Sequence, residues 1–80
     1  MSQIKSVDHL KEACVTDGQE FFILLDGGLR SSKLINYNQG TKEFLIDNYI
    51  DGTTQELTSR QLYTQSNIGK AIKRDRLFLF

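Results

Sequence analysis

Short strand-forming runs separated by glycine-containing turns constrain the fold of this chain more than any other feature. The run Phe21–Leu25 is apolar at every position and rich in strand-forming residues, so it predicts a strand covered on both faces. Asp26-Gly27-Gly28 follows, and a glycine pair between two such runs supplies the positive φ angles of a tight hairpin. A second strand is therefore predicted over residues 29–37, with one side in water.

Two further turns extend this pattern. Residues 38–41 (Asn-Gln-Gly-Thr) are typical of a turn, and residues 44–50 predict a third strand with Phe44, Ile46 and Ile50 on one face. Asp51-Gly52 marks the next turn, after which residues 53–57 predict a partly exposed fourth strand. Four strands joined by short turns form an antiparallel meander.

A helix is predicted before the meander, over residues 7–16. Ser6 is a suitable N-cap, and Asp17-Gly18 supplies the end, since glycine accepts the left-handed conformation that terminates helices. The apolar positions between them, at helical spacing, are Val7, Leu10, Ala13 and Cys14.

The C-terminal part of the chain predicts a short helical segment and a closing strand. Thr58 and Gln61 have the spacing of a capping box, which predicts a helix over 59–65. Ser66 is suited to cap a second helical turn, in which Gly69 either weakens the helix or permits close contact with the sheet. The apolar stripe of that turn is Ile68, Ala71 and Ile72. Residues 76–80 would leave two Phe side chains in water as a loose tail, so we predict a fifth strand beside Phe21–Leu25.

These elements predict a single α+β domain over residues 1–80: an N-terminal helix, an antiparallel four-stranded meander, a short C-terminal helical segment and a closing fifth strand. Cys14 is the only cysteine, so it forms no internal disulfide, and small secreted domains usually contain disulfides. The N-terminus lacks the apolar region of a signal peptide, and no apolar run approaches a membrane span. A cytoplasmic location is therefore expected.

Charge is distributed unevenly along the chain, although the net charge is zero. Residues 1–59 carry five Lys or Arg against nine Asp or Glu, whereas residues 60–80 carry five Lys or Arg against Asp75 alone. The basic C-terminal segment suits an acidic partner or a phosphate backbone. The alternative is that it pairs with the acidic remainder of the same domain.

The residues that usually carry catalysis are few and scattered. His9 lies between Asp8 and Glu12 on the expected wet side of the first helix, and Cys14 occupies its apolar stripe. The pair Ser31-Ser32 lacks a nucleophile elbow, and Gly27-Gly28 lacks the ending of a phosphate-binding loop. One His and one Cys cannot build a structural zinc site. The sequence therefore predicts no enzyme, no cofactor and no metal ion.

Two basic segments are the candidate binding residues. The first is the predicted hairpin, where two cations and two hydroxyls occur within four residues and can form charge-assisted hydrogen bonds to an anion. The second is the C-terminal helical segment. The candidates are Arg30, Ser31, Ser32, Lys33, Lys70, Lys73 and Arg74. The alternative for the hairpin is that its polar residues merely cover one solvated face of the sheet.

A nucleic-acid interface would add Arg76 and stacking by Tyr37, Tyr49 or Tyr63 to those cations. The sequence pI of about 6.5 is below the values expected of a dedicated nucleic-acid binder. This hypothesis requires the basic residues to converge on one face.

Four stretches together, namely Leu-Asp-Gly-Gly-Leu-Arg-Ser-Ser-Lys (25–33), Asn-Tyr-Ile-Asp-Gly-Thr (48–53), Gln-Glu-Leu-Thr (55–58) and Ser-Asn-Ile-Gly-Lys-Ala-Ile (66–72), resemble small uncharacterised proteins of bacterial genomes, phages and mobile elements. The resemblance implies an accessory or host-modulating binder. We therefore expect a non-catalytic module that binds a protein, a second copy of the chain included. The alternatives are an accessory protein that binds nucleic acid, and a small enzyme or enzyme subunit.

Overall fold

A computed structural model describes residues 2–25, 28–50 and 55–79 as one antiparallel sheet of six strands with two short helices. In chain order the elements are β1 (Ser2–Gln3), α1 (Val7–Leu10) with its π-helical continuation (Lys11–Thr16), β2 (Phe21–Leu25), β3 (Gly28–Asn38), β4 (Glu43–Tyr49), β5 (Leu57–Thr64), α2 (Gln65–Lys73) and β6 (Leu77–Leu79). The strand order in the sheet is β1-β6-β2-β3-β4-β5. The predicted α+β class is confirmed.

The first helix begins and ends where the sequence predicts. The Ser6 hydroxyl accepts a hydrogen bond from the backbone N–H of His9 at 3.0 Å, as an N-cap does. The N–H of Asp17 bonds to the carbonyl of Glu12 at 3.1 Å, which closes the wider π-helical turn. Gly18 follows with a φ of +68°, the left-handed conformation that ends helices.

The meander and the closing strand are also present. Strands β2 to β5 are neighbours in sequence order, and β6 pairs antiparallel with β2, placing Leu77 opposite Ile23 and Leu79 opposite Phe21. The turn after β3 forms because the Asn38 side-chain oxygen accepts hydrogen bonds from the N–H groups of Gly40 and Thr41. The predicted turns at Asp26-Gly27 and Asp51-Gly52, together with residues 53–54 and Phe80, lie outside the described residues.

The predicted helix over 59–65 is wrong. These residues belong to β5, which pairs with β4 along its length, so the fourth strand lies later in the chain than the predicted 53–57. The Thr58 hydroxyl does not cap a helix but donates to the backbone carbonyl of Asn48 at 2.7 Å. Helix α2 is capped by Thr64, which accepts from the N–H of Asn67 at 3.1 Å, and not by Ser66. Strand β1 was not predicted at all.

Both helices pack on the same face of the sheet, here called the covered face. Its core contains the strand residues Phe21, Ile23, Phe44, Ile46, Leu77 and Leu79, together with Leu10, Ala13, Cys14 and Ile68 from the helices. The residues between them on the strands point to the opposite, open face, which carries Phe22, Ser31, Asp47, Arg60 and Phe78. On β2, Phe22 is buried by its neighbours but Leu24 is 41% exposed, so this strand is only partly covered on both faces.

No helix in the described part of the chain is long and apolar enough to cross a membrane.

Candidate binding site

A cleft of about 300 Å³ lies between α2 and the ends of β2 and β6. Its apolar floor consists of Ile23, Leu25, Ile68, Ala71 and Leu77. The polar groups around the floor are Tyr63, Asn67, Lys70, Arg74 and Arg76. None of the described lining residues is acidic, so the cleft combines an apolar interior with a cationic rim.

The end of α2 positions the three cations. Lys70 and Arg74 are four residues apart and therefore share one side of the helix. The chain then reverses through Asp75, whose φ is +57°, and the N–H of Arg76 bonds to the carbonyl of Ala71 at 3.0 Å. The carbonyl of Arg76 accepts from the N–H of Leu24 at 2.8 Å, which fixes this residue to β2. These two backbone hydrogen bonds hold Arg76 between the end of α2 and β2, at the cleft.

These cations have no acidic partner within the described part of the chain. The only described salt bridge of the basic C-terminal segment joins Arg60 to Asp47 on the open face. Asp75, which is adjacent in sequence to Arg74 and Arg76, instead accepts a hydrogen bond from the side-chain amide of Gln3. Pairing with the acidic remainder of the domain therefore accounts for Arg60 but not for Lys70, Arg74 or Arg76.

A buried hydrogen-bond network holds the Tyr63 wall of the cleft. Asn48 is fully buried on the covered face, where its amide donates to the Tyr63 hydroxyl at 2.9 Å and to the Ser59 hydroxyl at 3.3 Å. Its carbonyl oxygen accepts from the Ser32 hydroxyl at 2.9 Å. The Tyr63 hydroxyl in turn donates to Gln61 at 2.8 Å. Because both its donor and an acceptor position are engaged, this hydroxyl is fixed in place.

Strand alternation separates the four candidate residues of the hairpin. Arg30 and Ser32 lie on the covered face, whereas Ser31 and Lys33 lie on the open face. Both serines are fully buried, and the Ser31 hydroxyl has no hydrogen-bond partner among the residues that the structure describes. The four residues therefore form no common surface for an anion.

The C-terminal candidates divide as well. Lys70 and Arg74 line the cleft, whereas Lys73 is exposed on α2 away from it. The sheet separates Lys33 from all three, so the five cations required by the nucleic-acid hypothesis do not share one face. Sequence reasoning did not single out Asn67, which lies in the first turn of α2, and it named Arg76 only for the nucleic-acid interface; the turn through Asp75 brings Arg76 to the cleft.

On the open face, Asp47 and Arg60 modify each other's titration. The hydrogen bond from Arg60 lowers the pKa of the Asp47 carboxyl, burial opposes this effect, and the nearby charges of Arg60 and Lys33 reinforce it. The hydrogen bond to Asp47 likewise raises the pKa of Arg60. We interpret the pair as a structural contact between β4 and β5, because each group already has the other as its hydrogen-bond partner.

The candidate catalytic groups lie away from the cleft. His9 accepts a hydrogen bond at Nδ1 from the N–H of Lys5 at 3.3 Å. Cys14 is buried in the core, and burial raises the pKa of its thiol to about 12. Among the described residues, no group of three His, Cys, Asp or Glu side chains is arranged to hold a metal ion.

The tyrosines make intramolecular contacts. The ring of Tyr37 lies 4.5 Å from that of Phe44, and the ammonium of Lys11 lies 4.9 Å from its centroid. Its hydroxyl is within 3.5 Å of Gln65. The Tyr37 ring is thus occupied by packing on one side and a cation on another.

Comparison of the chain with protein-family models, with curated proteins and with solved structures finds no match.

Proposed function

We propose that this chain is a non-catalytic protein-binding module whose cleft receives an acidic, partly apolar segment of a partner protein. The observation that carries the proposal is the cleft itself, in which Lys70, Arg74 and Arg76 surround an apolar floor and no described carboxylate forms a salt bridge with them. An accessory role of this kind suits the cytoplasm, where a lone reduced cysteine is common.

The chemistry of the lining defines the expected ligand. A volume of about 300 Å³ is at the small end of ligand pockets, so it suits one or two apolar side chains and not a large molecule. Carboxylates beside that apolar anchor would form charge-assisted hydrogen bonds with the two arginines and the lysine. The favoured segment therefore carries one Leu or Phe flanked by Asp or Glu.

The same lining favours binding over catalysis. None of the described lining residues is a His, Cys, Asp or Glu, the side chains that most often transfer protons or attack a substrate. The hydroxyl of Tyr63 already donates a hydrogen bond to Gln61. The groups that remain are hydrogen-bond donors, which recognise a carboxylate without changing it.

A nucleic-acid ligand is less suited to this geometry. Its phosphates would need a longer track of cations than Lys70, Arg74 and Arg76 provide, and Lys33 lies on the other side of the sheet. Tyr63 is held by its hydrogen bonds in the wall of the cleft. A single-stranded oligonucleotide is nevertheless the appropriate competing ligand in a binding test.

The test measures fluorescence anisotropy of a labelled acidic peptide with a central Leu, in parallel with a peptide that has Ser in place of that Leu and with an oligonucleotide. We expect binding of the first peptide alone, and a loss of about tenfold or more in affinity for the Lys70→Glu/Arg74→Glu variant. Lys73→Glu is the matched control, because Lys73 lies on the same helix but not in the cleft.

Equal affinity for the Leu and Ser peptides, or an equal loss in Lys73→Glu and in single Arg74→Glu, would refute a cleft with an apolar anchor. Binding of the oligonucleotide alone would support the nucleic-acid alternative instead.

A further inference from the structure

Strand β5 forms a long edge of the sheet. In the described residues it pairs with β4 on one side and with no strand on the other. The opposite edge of the sheet is β1, which contains only Ser2–Gln3. Short edge strands resist further pairing, whereas an edge of eight residues offers a row of free backbone groups.

The direction of those backbone groups follows from the ladder. The N–H of Gln65 bonds to the carbonyl of Lys42 on the β4 side at 3.1 Å. Hydrogen bonding in an antiparallel ladder alternates along the strand, so Tyr63 and Gln61 also direct their N–H and C=O groups to β4. The backbone groups of Leu62 and Arg60 therefore point away from the sheet.

The side chains of β5 leave this edge open. Leu62 is 62% exposed and Leu57 is 47% exposed, although both are large and apolar. Arg60 is the only charged residue on the strand; it is paired with Asp47, but its side chain is 54% exposed and can still meet a charge on a second strand. The strand contains no Lys and no Pro, the residues that natural proteins often place on edges to prevent pairing.

We propose that β5 pairs antiparallel with β5 of a second copy of this chain, which joins two sheets into one. The occupant is a second copy because the edge is self-complementary: it carries two exposed leucines, its one charged residue is paired with Asp47, and it is long enough to pair with itself about a two-fold axis. The net charge of the chain is zero, so two copies approach without long-range repulsion.

Charge and strand length select one register. Only the outward backbone groups can bond, so Arg60 lies opposite either Arg60 or Leu62 of the second copy when the strands overlap fully. Two arginines directly opposite each other repel, whereas a leucine beside the aliphatic stem of an arginine packs. Placing Leu62 opposite Leu62 would bring Gln65, the first residue of α2, into the paired region, where the helix ends the strand. The two-fold axis therefore passes by Gln61, and Arg60 of each copy faces Leu62 of the other.

Sedimentation equilibrium over a range of concentrations tests both the dimer and its register. We expect the wild type to show a monomer–dimer equilibrium. Leu62→Lys sets a cation opposite Arg60 and should weaken the dimer by roughly tenfold or more, whereas Leu62→Glu sets an anion there and should retain it. A wild type that remains monomeric at every concentration overturns the proposal, and so does dissociation of the dimer by both variants.

Amide hydrogen exchange tests the same strand pairing residue by residue, independently of the molecular mass that sedimentation measures. In the dimer the N–H groups of Arg60 and Leu62 should exchange slowly, and in Leu62→Lys they should exchange quickly. The N–H groups of Gln61 and Tyr63 bond to β4 and should be slow in both proteins, which shows that the variant is folded. Fast exchange of Arg60 and Leu62 in a wild-type dimer would place the interface elsewhere and overturn the proposal.

Discussion

Asp47 and Arg60 face each other across β4 and β5 and form a two-point ion pair. The Arg60 Nε donates to Asp47 Oδ1 at 2.6 Å, and its Nη2 donates to Oδ2 at 3.1 Å. The carboxylate side chain is only 4% exposed, whereas that of the arginine is 54% exposed. The guanidinium thus covers a buried charge from the solvent side, a parallel two-bond geometry that also fixes the register of the two strands.

This pair should make stability depend on pH. Because the folded-state pKa of Asp47 is lowered, the pair stabilises the folded state above about pH 4, and this contribution is lost as the pH falls through the folded-state pKa. In Arg60→Met the carboxylate stays buried without its partner. The variant should therefore be destabilised most near neutral pH, and the difference from wild type should shrink on acidification.

Urea unfolding from about pH 7 to about pH 3 measures this difference. Lys33→Met is the control, since Lys33 acts on Asp47 through its charge alone and should have a smaller effect. A difference between Arg60→Met and wild type that is constant across this range would show that the ion pair is not its cause.

The buried Asn48 network should also contribute to stability. Replacing Asn48 by Ala removes the acceptor of the Ser32 hydroxyl and the donor to the Tyr63 hydroxyl. The Ser32 hydroxyl retains only its longer bond to the Arg30 carbonyl at 3.3 Å, and the Tyr63 hydroxyl retains Gln61, so each lost hydrogen bond should cost about 1 kcal/mol. The measurement is the free energy of unfolding in urea for Asn48→Ala, Ser32→Ala and the double variant. The two effects should not be additive, and strict additivity would mean that the two side chains are not coupled.

The contrast between β6 and β5 shows which parts of this fold can be predicted from sequence. Leu77 and Leu79 belong to a short apolar run whose exposure would be costly, so a closing strand was predicted there. Residues 57–64 (Leu-Thr-Ser-Arg-Gln-Leu-Tyr-Thr) show no apolar alternation, because an edge strand buries little of either side. What makes them a strand is pairing with β4, a non-local contact that local capping patterns such as Thr58 and Gln61 do not reveal.

The candidate site was predictable to a similar degree. The basic character of the C-terminal segment was visible in the sequence, and Lys70 and Arg74 do line the cleft. The burial of Ser31 and Ser32 was not visible, because it depends on neighbouring strands that the sequence does not specify. Likewise Asn48 is polar within an apolar strand, and only the cross-strand positions of Ser32 and Ser59 explain its burial.

The packing of the closing strand can be tested by one pair of substitutions. Leu77 is fully buried, so Leu77→Ala should lower the free energy of unfolding by about 2–5 kcal/mol. Leu24→Ala is the matched control, because Leu24 is 41% exposed and loses fewer contacts. Urea unfolding at low temperature, where Leu77→Ala is still folded, gives the free energy of unfolding of both variants. Similar small effects of the two substitutions would mean that β6 is not part of the core.

Two glycines should respond in opposite directions to the same substitution. A Cβ at Gly69 in the middle of α2 meets no atom within 4 Å, so close helix–sheet contact does not require glycine there. Gly69→Ala should therefore stabilise the protein by about 1 kcal/mol, the difference in helix propensity. Gly18 also has space around it, but its φ of +68° is unfavourable for alanine, so Gly18→Ala should destabilise by about 1–2 kcal/mol. For a chain of this size each kcal/mol shifts the Tm by about 4–8 °C, which thermal denaturation resolves. A fall in Tm for Gly69→Ala would mean that the added Cβ does contact a neighbouring element, so that α2 packs closely there.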